Sequence, residues 1–95
     1  MKIPAVYIMT NKRNGALYTA VTANLPKRVY EHKQQITEGF TKKYNCTLLV
    51  YFEICSKMDD AITREKQIKA GSRIYKVGLI EEKNPYWRDL YGEIV

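Results

Sequence analysis

The sequence lacks most of what holds a small protein together covalently or places it in a bilayer. Among its 95 residues are two cysteines and one histidine. Cys46 and Cys55 flank a predicted strand. Nine residues of extended chain span about 30 Å, against the ~4.4–6.8 Å between Cα atoms that a disulfide needs, so both are expected as free thiols. A single histidine and no second cysteine pair argue against a structural zinc site. No apolar run approaches the ~18 residues of a membrane span. Met1-Lys2-Ile3-Pro4 leads straight into strand pattern, without the apolar stretch and cleavage site of a signal peptide, so a cytoplasmic protein with no membrane association is expected. Linkers, repeats and low-complexity segments are also missing, and residues 1–95 read as one domain.

Acid is scarce in the first half. Residues 1–50 hold Glu31 and Glu38 against eight Lys and Arg, whereas residues 51–95 carry eight of each sign, so the net charge of +6 belongs to the first half. A one-sided basic surface attracts polyanions and releases counterions from nucleic acid. Solubility alone is the competing explanation. The composition, 45% hydrophobic and 27% charged, is that of an ordinary globular chain.

What is present begins with two tyrosine-bearing strands. Pro4 to Thr10 alternates Val6 and Ile8 on one side with Ala5, Tyr7 and Met9 on the other. Asn11-Lys12-Arg13-Asn14-Gly15 carries the Asn-Gly signal of a hairpin turn, and Ala16 to Thr22 resumes the alternation. With the turn centred on Asn14-Gly15, Arg13 faces Ala16, and counting outward in twos puts Tyr7 and Tyr18 on one face. A slip of one residue would separate them. Thr22 or Asn24 caps the helix that follows, with Pro26 in its first turn. Leu25, Val29 and Ile36 form its apolar stripe, with His32 inside and Arg28 at the edge. A lone histidine in such a stripe is commonly a satisfied core residue. Arg28 one turn earlier disfavours a second charge there unless an anion is to sit between them.

Thr37 to Asn45 reads as a surface connection whose Lys42-Lys43-Tyr44 suits phosphates and exposed bases, or is simply solvated. Thr47 to Glu53 is a well-covered third strand. Ser56 and Asp59-Asp60 begin a second helix that runs to about Ala70. Its stripe of Met58, Ala61, Ile62, Ile68 and the stem of Lys69 has Glu65 in its middle. Burying an unpaired anion is costly, so Glu65 either pairs with a buried cation or holds a metal ion. Gly71-Ser72 recaps the chain for a third helix, about Arg73 to Glu82, which Asn84-Pro85 ends. The aromatic tail from Tyr86 to Tyr91 is expected to pack back and close the core.

Taken together, Ala5-Val6-Tyr7, Tyr18-Thr19-Ala20, Arg28, His32 and Glu65 within Arg64-Glu65-Lys66-Gln67-Ile68-Lys69 resemble a GIY-YIG nuclease domain in order and spacing. The likeness extends to Asn84 in Asn84-Pro85-Tyr86-Trp87-Arg88-Asp89-Leu90 and is closest to the small bacterial single-domain members. It implies an α+β fold, a three-stranded antiparallel sheet flanked by helices in the order β-β-α-β-α-α, which the pattern reading also gives. It further implies an endonuclease that hydrolyses DNA phosphodiester bonds with Mg²⁺ or Mn²⁺, in repair or in processing of structured DNA.

In that resemblance Glu65 holds the metal, Arg28 clamps the phosphate, and Tyr7 is the general base, tuned by Arg28 and the metal or relaying its proton to His32. Tyr18 orients water or phosphate, and Asn84 supports the site. Lys12, Arg13, Lys27, Lys33, Lys42 and Lys43 are the expected phosphate contacts on DNA, structured or double-stranded. No separate specificity module is visible, so a protein partner or a homodimer would supply one. Ala5 and Ala20 replace the glycines of both signatures, and a methyl beside Tyr18 could narrow the room for phosphate. The alternatives are therefore a nucleic-acid-binding module that has lost catalysis and a protein-interaction domain whose tyrosines only pack the sheet.

Overall fold

The computed structural model describes residues 3–95; the reading of Met1 and Lys2 as strand lead-in lies outside them. The fold is built around β1 (Ala5–Thr10), all six residues of which are buried. It lies between β2 (Leu17–Thr22) and β3 (Leu48–Ile54), antiparallel to both. A central strand covered on both faces calls for a near-continuous apolar run, and the hydroxyls of Tyr7 and Thr10 within it are hydrogen-bonded. Ala5, Tyr7 and Met9 enter one core layer with Leu25 and Val29 of α1 (Leu25–Lys33). Val6 and Ile8 enter the opposite layer with Ile68 of α3 (Met58–Ala70) and Ile80 of α4 (Arg73–Lys83). The class and order are those expected, with two additions: the four-residue helix α2 (Phe40–Lys43) and a 3₁₀ turn over Tyr91–Glu93.

The hairpin pairs differently from the expectation. Its ladder ends at Thr10 opposite Leu17, and Tyr18 lies opposite Met9. The turn is made by Lys12–Gly15, closed by the Gly15 N–H on the Lys12 carbonyl at 2.9 Å, with Asn14 at φ +58°. Asn11 closes the loop base by accepting from the Ala16 N–H at 3.0 Å. Pairing is thus displaced by two residues from the one that sets Arg13 opposite Ala16. An even displacement preserves faces because side chains alternate with period two. Arg73 at the start of α4 clamps the loop by donating to the carbonyls of Asn14 (2.9 Å) and Gly15 (2.7 Å).

The ladder between β1 and β3 contains a bulge. Ile8 lies opposite Tyr51 and Met9 opposite Leu49, which leaves Val50 as the extra residue and sends both Val50 and Tyr51 into the layer of α3 and α4. On that side Arg64 holds both carboxylate oxygens of Glu53 at 3.0 Å, strapping α3 to β3. Cys46 and Cys55 are free thiols.

Helix boundaries follow local chemistry. Asn24 caps α1 through the Lys27 N–H, while Thr22 accepts from the Asn24 N–H. Gln35 then takes φ +55°, so the helix stops at Lys33 and Ile36 lies exposed beyond it rather than in the stripe. Ser72 caps α4 through the Tyr75 N–H at 3.1 Å. Ser56 does not cap α3: its N-cap is Lys57, without a side-chain bond, and Asp59 and Asp60 of the first turn supply the favourable negative charge.

The tail does close the core, with Trp87 and Leu90 buried. The Leu90 N–H donates to the Leu49 carbonyl at 2.7 Å, and the Asp89 carboxylate accepts from the Leu49 N–H at 3.2 Å. Among the described residues no helix is long and apolar enough to cross a membrane.

Candidate active site

Tyr7 lies opposite Ala20 and Tyr18 opposite Met9, so both phenols leave the sheet on the face covered by α1. Their ring centroids are 6.5 Å apart. α1 begins three residues after β2 ends and sets His32 over both, 5.8 Å from the Tyr7 ring and 5.6 Å from that of Tyr18. The Tyr7 hydroxyl is hydrogen-bonded to His32 Nε2 at 2.8 Å, and His32 Nδ1 to the buried Thr41 hydroxyl at 3.1 Å. His32 is therefore a buried, satisfied histidine, and one of its two partners is a site tyrosine.

Arg28 lies near enough to the phenol to pull its pKa down. The neutral imidazole tautomer with its hydrogen on Nδ1 donates to Thr41 and accepts from the Tyr7 hydroxyl at Nε2. Arg28 also bonds Glu31 at 3.2 Å and Thr37 at 3.3 Å. Burial pulls its pKa down, but the bond to Glu31 and the neighbouring Tyr7 outweigh this and keep it a firm cation.

Both relay groups rest neutral. Burial, reinforced by the Arg28 charge and opposed only by Glu31, lowers His32 to about 4. Burial and then Tyr18 push the Tyr7 phenol above its ordinary range, overriding the downward pull of Arg28. In the free protein the phenol stays neutral despite Arg28, because desolvation of an anion outweighs one adjacent cation here.

A lowered histidine pKa makes stability depend on pH. Between the ordinary value near 6.5 and about 4 the unfolded chain binds more protons than the folded one, so stability is full above pH ~6.5 and falls toward pH 4. The expected loss is about 3 kcal/mol at ~1.4 kcal/mol per unit. Urea denaturation from pH 7 to 4.5 checks it: His32→Gln should flatten the dependence, and an unchanged slope in that variant would assign the effect elsewhere.

The segment expected as a plain surface connection contributes to the site. Gly39, at φ +114°, precedes α2, which buries Thr41 against His32 and stacks Phe40 on Tyr18 with centroids 5.9 Å apart. Phe40 and Tyr44 stand at the i,i+4 spacing of a helical turn, a signal that a loop reading overlooks. Thr41 has no such signal, because it lies nine positions from His32, across the irregular chain that joins α1 to α2. Glu31 was visible only as a rare acid.

The methyls replacing the signature glycines point into the core. Ala5 and Ala20 pack with Leu25 and Val29, and Ala20, directly across from Tyr7, is 8% exposed. They fill space beneath α1 rather than standing in open solvent.

Glu65 lies on α3, which packs against β1 and β2 in the other layer. Glu65 sits between the buried Ala61 and Ile68 with its side chain 16% exposed, and its partner is Lys69 at 3.2 Å, itself 54% exposed. The cation is therefore neither buried nor fixed, and an i,i+4 pair of this kind contributes only ~0.3–0.5 kcal/mol. Among the described residues no three His, Cys, Asp or Glu side chains come together. What Glu65 fits is a cation that keeps most of its waters and takes one carboxylate, the habit of Mg²⁺.

Two expected site groups lie elsewhere. Asn84 caps α4 beside β3; its buried amide donates to the carbonyls of Val50 (3.1 Å) and Arg88 (2.8 Å) and accepts from the Arg88 N–H (2.9 Å). With both amide hydrogens and one oxygen lone pair spent on backbone, it pins the tail to the bulge. Asn84→Ala is expected to cost about 2–4 kcal/mol in urea denaturation, since it orphans a buried carbonyl. Wild-type stability with lost activity would return Asn84 to the chemistry. Lys33 is likewise spent, bonding Asp89 and the Thr47 carbonyl and lying 5.3 Å from the Tyr91 ring centroid. Lys12, Arg13 and Lys27 are exposed, Lys42 pairs with Glu38 at 2.8 Å, and Lys43 lies over the Tyr44 ring.

Comparison with known proteins adds a family. The model of the GIY-YIG catalytic domain matches residues 3–76. A UPF0213 protein of Staphylococcus haemolyticus is 38% identical over 82% of this chain and 94% of its own, and one of Clostridium perfringens is 37% identical over 83% and 84%. The solution NMR structure of a UPF0213 protein from Bacillus halodurans superposes with a TM-score of 0.56, at 26% identity over 90% of both chains.

Proposed function

Because the chain belongs to the GIY-YIG catalytic-domain family, a nuclease domain, we propose that it is a divalent-metal-dependent endonuclease acting on structured DNA, with repair or processing as its setting. The observation that carries this reading is the hydrogen-bonded line from Tyr7 through His32 to Thr41, with Arg28 at the phenol end.

The chemistry follows from the resting protonation. Water attacks phosphorus and yields a proton to the Tyr7 oxygen as the phenol proton passes to His32 Nε2, so no free phenolate forms. The P–O bond to the leaving alkoxide breaks, and that oxygen takes a proton from solvent. Arg28 faces the non-bridging oxygens, where charge builds. In the free protein Arg28 helps to hold His32 neutral. A bound phosphate offsets that charge and raises the basicity of the imidazole, so the substrate itself readies the acceptor. Thr41, by accepting from Nδ1–H, keeps the lone pair of Nε2 toward Tyr7. Glu65 would hold Mg²⁺ or Mn²⁺, which when bound would supply Lewis-acid charge to the phosphate.

Nicking of supercoiled plasmid by chelator-treated protein, with Mg²⁺ or Mn²⁺ added back, tests the reading. Absence of cleavage with every divalent cation, on the plasmid and on a duplex carrying a single-nucleotide bulge alike, would overturn it. One observation favours a second reading: the Ala20 methyl lies directly across from Tyr7. Salt-dependent DNA binding without cleavage, with cleavage restored by Ala20→Gly, would make the chain a binding module that has lost its chemistry.

A further inference from the structure

Phe40 and Tyr44 are exposed aromatics that the mechanism does not use. Their ring centroids are 4.6 Å apart, and the residues are 42% and 41% exposed. An exposed ring forgoes the gain of burial, yet these two are held in place: Phe40 lies parallel to Tyr18 within 20°, and Tyr18 borders Tyr7 and His32. A continuous line of rings therefore leads from the buried relay to open solvent. Its outer end is cationic, with Lys43 Nζ 5.4 Å from the centroid of the Tyr44 ring. Lys42 stands beside it, tied only to Glu38, whose side chain is 82% exposed. Glu38 is the acid on this patch, and such an exposed pair yields readily to a phosphate.

We propose that Phe40 and Tyr44 form a stacking platform for an unpaired base next to the scissile phosphate, with Lys43 and Lys42 on the adjoining backbone. The proposal rests on the nuclease reading and narrows it: the substrate is DNA carrying an unpaired nucleotide at the cut, not continuous duplex. Duplex bases stack on one another and present only their edges. A pair of rings beside a cation suits the open face of a base of any identity. Only the Tyr18 ring separates Phe40 from Tyr7, so the stacked base and the reacting phosphate belong to the same nucleotide or to neighbours.

Fluorescence titration of 2-aminopurine-labelled DNA, without divalent cations, tests this on the intact chain. A duplex with a single-nucleotide bulge carrying the probe is expected to bind about tenfold tighter than the fully paired duplex and to be quenched on binding, as one stacked base contributes. Tyr44→Leu and Phe40→Leu keep apolar bulk at positions already facing solvent and should abolish the quenching and bring the bulged duplex to the affinity of the paired one. Tyr44→Phe should keep both. Equal binding of bulged and paired DNA by the unaltered protein overturns the platform, as does an equal loss on both substrates in the leucine variants. Failure to bind any DNA overturns the nuclease reading itself, a distinct result.

Discussion

Tyr7→Phe is expected to slow plasmid nicking by about 10²–10⁴-fold, the range of a positioned acid–base group. The substitution removes one oxygen and leaves the ring between Tyr18 and His32, so the aromatic packing survives. What is lost is the path of the proton: water has no acceptor at that point, and His32 Nε2 loses its bond. Orphaning a buried nitrogen costs about 1–3 kcal/mol, so denaturation is measured alongside to confirm a folded variant. Thr41→Val separates positioning from chemistry. It should lower kcat by about tenfold with KM unchanged, since without Thr41 both tautomers of His32 become populated, and Thr41→Ser should restore the rate. Wild-type nicking by Tyr7→Phe would remove the proposed relay.

Glu65→Gln is expected to reduce nicking by at least about 10²-fold, because a neutral amide supplies no charge to a hard cation that already holds one protein ligand. The exchange preserves size, and the lost pair with Lys69 contributes only ~0.3–0.5 kcal/mol, so stability should barely change. Binding gives a readout besides activity: Mn²⁺ titration followed by electron paramagnetic resonance should show a weak site that the variant lacks. Unaltered Mn²⁺ binding in Glu65→Gln would move the cation to other groups.

The sequence made the tyrosine pair legible for a reason that the hairpin illustrates. Its pairing was misjudged by two residues, yet Tyr7 and Tyr18 still share a face, because strand parity is insensitive to an even displacement. Caps at Asn24 and Ser72 were equally legible, being local chemistry. The family was legible too, since its signatures lie in order over residues 3–76. The bulge at Val50 was not, because a near-continuous apolar strand carries no alternation in which an extra residue would show. Contacts across long stretches of chain were also hidden. Lys33 bonds Asp89, 56 residues on, and the Asn84 amide bonds the Val50 carbonyl, contacts that no local pattern announces.

The tie between the tail and Leu49 bears on how copies of this chain meet. A strand at the border of a sheet offers free N–H and C=O groups to any passing strand, and self-association begins there. At Leu49 both backbone groups are already taken, the N–H by Asp89 and the carbonyl by Leu90, while the next carbonyl, at Val50, is held by Asn84. The last turns of the chain thus act as a guard against strand-to-strand templating at this point of β3, and crowded molecules find no ready ladder there to extend.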